Sequence, residues 1–340
     1  TTNSDRTNYF ETVPVNQLEK MLWLESDRMG FLLDAVTQEK FEVQRETVKN
    51  ERGQRVDNRP YGRLGERMAQ AMYPDGHPYS WPVIGFLDDL NRVNVNDLKA
   101  FFLKWYGPNN ATLTIGGDIN ANEILPLVTK YFAPIPKGPE IPKVEKKAVT
   151  LNADRYISME DKVHLPLLAM SFPTTHARSE DEAPLDILAE ILGGGNNSLL
   201  YKNLVKTQLA VQASANHPCQ ELSCSISIYA LPNPTSGKTL ADMEKIVRDS
   251  FTEFEKRGVT QDDLDKVKAK IESGAIFGLQ SVSGKVSQLA ASETFTGNPN
   301  STKAEIARYN SVTKADVMRV FNQYIKGKFA VIMSVVPEGQ

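Results

Sequence analysis

The chain has 340 residues, 41% apolar and 24% charged, with 39 lysines and arginines against 42 aspartates and glutamates for a net charge of −3. This length and composition suit two buried cores. The near-neutral balance argues against a nucleic-acid surface, and no run reaches the apolar length of a membrane span.

In chain order, Thr7–Val13 is rich in β-branched and aromatic residues and predicts a strand ended by Pro14. Asn16 is placed to cap a helix with Leu18, Met21, Leu22, Leu24 and Met29 on its apolar face, running to about Leu33. Thr37 opens a second helix, with Phe41 and Val48 inward, that ends before Pro60. Short helices are expected over 63–72 and 96–106, a strand over 111–116, and a helix over 121–132 weakened by Pro126. Residues 133–142 hold four prolines in ten, the composition of a stiff, extended linker.

Beyond it come strands over 155–160 and 166–172, a helix over 181–192, and strands over 209–217 and 222–231. Helices follow over 238–257 and 260–290, the latter broken near Gly278, and a helix–strand unit over 313–336 closes the chain. Strands such as the pair after Leu209 have no crossover helix between them and are expected to be antiparallel. The class is α+β, with two tandem similar domains, each a mainly antiparallel sheet with helices packed on one face.

The tandem reading rests on a repeat. Residues 91–116 align without a gap to 310–335, with Asn91/Asn310, Val93/Val312, Asp97/Asp316, Phe102/Phe321 and Ala111/Ala330 identical. Val36-Thr37-Gln38 and Val259-Thr260-Gln261 open two helical stretches at nearly the same offset. The period is about 220 residues, whereas only about 145 precede the boundary near Lys143. Roughly 75 residues of the first unit are therefore expected ahead of Thr1. The domains are accordingly 1–133, incomplete at its N-terminus, a Pro-rich linker 134–145, and 146–340.

Few residues offer chemistry. His77, His164, His176 and His217 are not paired at helical spacing, so no H-E-x-x-H-type zinc motif is present, and each is expected at the surface. There is no Gly-x-Ser-x-Gly elbow. Cys219 and Cys224 lie five apart in an alternating stretch, which would point them to opposite faces, so a disulfide between them is not expected. Gly193-Gly194-Gly195 follows a helix and lacks the Gly-Lys-Ser/Thr ending of a phosphate loop. The acidic helix 39–51 carries Glu39, Glu42, Glu46 and Glu51. At ~100° per residue Glu51 lies about 140° around from Glu46. A solvated face with Glu51 paired to Arg55 one turn on accounts for it. However, the repeat sets Glu51 opposite Gly274, so the fold permits the acid without demanding it.

The run from Arg45 to Gly62 (RETVKNERGQRVDNRPYG) resembles the pitrilysin-like, inverted-zincin metallopeptidases of peptidase family M16. So do Asp5–Pro14, Gly76–Gly85 and Tyr106–Leu113 followed by Gly117-Asp118, in the same order. The resemblance implies a zinc-dependent endopeptidase acting on peptides or unfolded segments, with Glu51 as a zinc ligand and Glu46 as an acid behind it. The family's two histidines and base glutamate come from an H-x-x-E-H helix that is not in this sequence, so the Zn2+ cofactor lacks most of its ligands here and the chain alone is expected to be inactive. In the family a substrate-holding arginine and tyrosine stand seven apart; here Leu204 and Val211 occupy those positions and read as core residues. A second half or subunit is therefore expected to supply that pair. By the same analogy a peptide would add as a strand on a sheet edge, for which Thr1–Ser4 is a candidate. A periplasmic or secreted bacterial setting is a family-level expectation only. The rival reading is a non-catalytic scaffold or partner subunit of the same fold.

Overall fold

The computed structural model describes residues 1–146 and 148–339. Pro14 starts a 3-10 turn over Val15–Gln17 that leads into α1 (Leu18–Phe31), so Gln17 and not Asn16 stands at the N-cap. Helix α2 (Gln38–Arg52) begins at Thr37, whose hydroxyl oxygen accepts the Lys40 amide at 3.2 Å, and it continues into a π-turn over Gly53–Asp57. The first half is completed by α3 (Leu64–Met72), α4 (Leu87–Arg92), α5 (Val95–Trp105) and α6 (Ala121–Phe132). Helix α6 runs through Pro126, which removes one backbone donor from its interior. The proline-rich stretch lies extended against this half: Ile135 packs on Gly30, and Asn109 accepts the Gly138 amide at 2.7 Å.

The second half contains β1 (Arg155–Asp161), β2 (Leu167–Pro173), α7 (Glu182–Gly193), β3 (Ala210–Asn216) and β4 (Ser225–Pro232). It continues with α8 (Leu240–Arg257), α9 (Gln261–Gly278), α10 (Val282–Thr296), α11 (Thr302–Ser311), α12 (Lys314–Tyr324) and β5 (Val331–Pro337). The sheet order is β1-β5-β2-β4-β3; only β1 and β5 run parallel, so the sheet is mainly antiparallel. Alternate residues of β2 and β4, such as Met170, Phe172, Ile226 and Ile228, form one core with α7, α8 and α12. The opposite face presents Leu167, Ala169, Met333 and Val335, against which Tyr61, Leu64 and Met68 of the first half pack. With both faces covered, β2 is buried along nearly its whole length, and its sequence is apolar on both faces apart from Ser171, whose hydroxyl meets that of Ser227 at 3.3 Å.

The repeat is reproduced in local chemistry. Asn94 and Asp97 form a capping box at the start of α5, and Thr313 and Asp316 form the matching one at α12. Both helices have 11 residues. After them the copies diverge. Residues 331–337 form β5 between β1 and β2, whereas 111–116 finds no ladder partner among the described residues and is not a strand. The expected strand over 7–13 is absent for the same reason, leaving only an isolated Thr2–Thr7 bridge. β-propensity alone does not make a strand; a neighbour must accept its hydrogen bonds.

The cysteine expectation is overturned. Cys219 and Cys224 form a disulfide, with Cα atoms 4.2 Å apart. Alternation along a single strand would separate them, but the chain reverses between them and makes them cross-strand partners, and β4 starts only at Ser225.

Candidate functional site

The C-terminal half of α2 carries Glu46 and Glu51, the acids that the sequence singled out. Glu51 is 41% exposed and pairs through Oε1 with Arg55 Nη1 at 2.7 Å. Glu46 pairs with Lys49 at 2.8 Å on another side of the helix. The two carboxylates are not brought together. Between them and the fold stands a residue that sequence reasoning missed. Arg52, with a side chain only 7% exposed, donates to Gly85 O at 2.7 Å and pairs with Glu66 of α3 at 2.9 Å. This buried ion pair fixes the helix end that bears Glu51. No sequence signal separates Arg52 from Arg45 and Arg55; only the packing of α3 against α2 turns it inward.

The remaining expected sites fall apart in different ways. Thr1–Ser4 forms no sheet edge: the Asn8 amide donates to Thr1 O at 2.8 Å, curling the segment into a small hairpin. Leu204 is fully buried, as expected. Val211 is not a core residue, because a register shift between Ala210 and Gln212 turns it out on the sheet's edge strand. The Gly193 run has a packing reason, since a Cβ on Gly193 would lie 2.0 Å from the Ala215 amide nitrogen. Glycine there lets α7 lie directly on β3.

A second polar centre was not anticipated. His217, expected at the surface, has a side chain only 1% exposed. Its Nδ1 lies 2.6 Å from Asp186 Oδ1, and its Nε2 lies 2.9 Å from the Thr174 hydroxyl. The Tyr309 hydroxyl donates to the other Asp186 oxygen at 2.5 Å, and burial, with the Asp186 charge, pushes that phenol well above its usual range. His217, Asp186 and Tyr309 border a cavity of about 300 Å³ between α7, β3, α9 and α11. His77 is also partly enclosed: it stacks on Tyr73 and accepts the Tyr79 amide on Nδ1, and burial lowers its pKa. Isolated histidines carry no sequence mark that separates surface from interior.

A family model described as the peptidase M16 inactive domain matches residues 92–271. The zinc protease PqqE of Helicobacter pylori is 31% identical over 330 residues, spanning 96% of this chain and 73% of the relative. A crystal structure of a protease from Helicobacter pylori superposes with a TM-score of 0.83 at 27% identity, over 95% of this chain and 77% of that one. The first half of the periplasmic protease PqqL from Escherichia coli shares the fold, with a TM-score of 0.74 at 17% identity over 96% of this chain and 72% of that one.

Proposed function

This chain belongs to the peptidase M16 family, and on that premise we propose that it is the zinc-side half of a pitrilysin-like endopeptidase, with Glu51 as a zinc ligand and Glu46 behind it. The observation that carries this reading is the asymmetry of the repeat. Helices α2 and α9 are capped alike, by Thr37 and Thr260, yet Glu51 stands where α9 has Gly274. Its carboxylate is engaged by one exposed arginine, a pairing of small energy that a divalent cation would displace.

A catalytic zinc takes about three protein ligands. Among the described residues the one cluster of three metal-ligating groups is His217, Cys219 and Cys224, and Glu51 is not part of it. These residues by themselves therefore do not hold a catalytic zinc, and the histidine pair and base glutamate would come from outside them. A second half would contribute the substrate-holding arginine and tyrosine. Exposed Trp23, Phe101, Leu103 and Leu125 on the first half's helices support a covered surface there. The substrates are unfolded peptides.

The test is made on the natural gene product. Glu51→Gln is expected to lower bound zinc and chelator-sensitive hydrolysis of an unfolded protein by at least ~100-fold while leaving the circular dichroism unchanged. Equal zinc content and equal hydrolysis in wild type and variant would sink the reading. The second reading, a non-catalytic partner subunit, is favoured by the family model's description as an inactive domain and by Leu204 and Val211 in place of the pair. A natural protein with neither zinc nor hydrolysis would establish it.

A further inference from the structure

The geometry points to a redox-gated metal site in the second half, made of Cys219, Cys224 and His217, that binds a zinc-like divalent cation once the disulfide is reduced. The ligand atoms of these three residues already lie within 4.8 Å of one another. The spacing His-x-Cys-x4-Cys places all three on one tight hairpin and its entry. Thiolate and imidazole are the donor set that selects zinc-like cations.

The imidazole is prepared for this role. Donation from Nδ1 to Asp186 fixes the tautomer in which Nε2 carries a lone pair, and Tyr309 holds the carboxylate in turn. A histidine whose far nitrogen is bonded to a carboxylate is the usual arrangement behind a metal-bound imidazole. Nε2 lies 2.9 Å from the Thr174 hydroxyl, a weak partner that a cation would replace.

The hairpin does not depend on the sulfur–sulfur bond for its shape. The Cys224 amide donates to Thr175 O at 2.6 Å, and Cys224 O accepts the Thr174 amide at 2.9 Å. At the tip the Glu221 amide donates to Asp5 at 3.0 Å and the Leu222 amide to the Tyr79 hydroxyl at 3.0 Å. Reduction would therefore leave the backbone of both cysteines where it stands. Side-chain rotation lets the sulfurs part to the roughly 3.7 Å that two thiolates need on one zinc, given Zn–S bonds of about 2.3 Å.

The chemistry balances with a dithiol reductant. Its two thiols give up two electrons and two protons through a mixed disulfide; its own sulfurs end joined, and Cys219 and Cys224 end as thiols. Metal binding then releases the thiol protons to solvent. Water or the Thr174 hydroxyl completes the four-coordinate shell.

Cobalt(II) added to the reduced, desalted natural protein tests the site directly. We expect thiolate-to-cobalt charge-transfer absorption that saturates with a single ion, absent from the oxidised protein and from reduced protein alkylated with iodoacetamide. His217→Gln should weaken binding at least tenfold and Asp186→Asn by about 10- to 100-fold. Glu51→Gln should leave the band unchanged, which separates this site from the one at α2. The alkylation arm needs no variant, so a misfolded substitution does not blunt the test. No charge-transfer band in reduced wild type, or wild-type affinity in a folded His217→Gln, overturns the proposal.

Discussion

Arg52 and Glu66 show how much one buried pair can decide. Both side chains are largely withdrawn from water, and together they tie the end of α2 to α3 beneath Glu51. Removing one partner leaves the other charge buried without compensation, whereas replacing both with apolar groups of similar size is often close to neutral. Glu66→Ala is therefore expected to cost about 3 kcal/mol by urea denaturation. The double change Arg52→Met with Glu66→Leu should recover most of that. A single variant as stable as wild type would show that Asp57, 3.4 Å from Arg52, carries the charge alone. The same scale explains His217 and Cys224. Their residue types were visible, but which way each side chain faces depends on neighbours far away in sequence.

At the scale of elements, local chemistry was the most readable part of the chain. Thr37, Thr260, Asn94 and Thr313 each start a helix with a side-chain acceptor for a free amide. Such caps work through residues two or three positions away, so the sequence carries the whole signal. Thr313→Ala should cost about 1 kcal/mol, because α12 delivers Val317, Val320 and Phe321 to the core. A thermal melt compared with Asn94→Ala measures whether the first copy depends on its box as much as the second. Strands were less readable. Residues 111–116 and 330–335 align, yet only the second becomes a strand, since a ladder is made by both partners. The break at Gly278 was expected, and α9 ends there, with α10 capped afresh by Ser281.

For the whole molecule, the decisive feature is that the second half's sheet is covered on both faces, one of them by the first half. Tyr61 donates its amide to Asp161 at 2.7 Å and its hydroxyl to Leu165 O at 2.6 Å, while Leu64 and Met68 pack below it. Met68→Glu would set a carboxylate at a half-buried position against Met333 and Val335 and weaken the seam between the halves. We expect limited proteolysis to cut the helices before residue 132 much faster while the sheet survives. Equal cutting throughout would mean the two halves unfold as one. The amino-acid sequence by itself determined the α+β class, the repeat, the starts of α2, α9 and α12 and the family, because each rests on composition or on residues near one another in the chain. Only the tertiary structure decided which strands found partners, that Arg52 and His217 turned inward, and that two cysteines five apart met across a hairpin. Those outcomes depend on contacts between distant segments, and periodicity along a chain does not encode where the chain turns back.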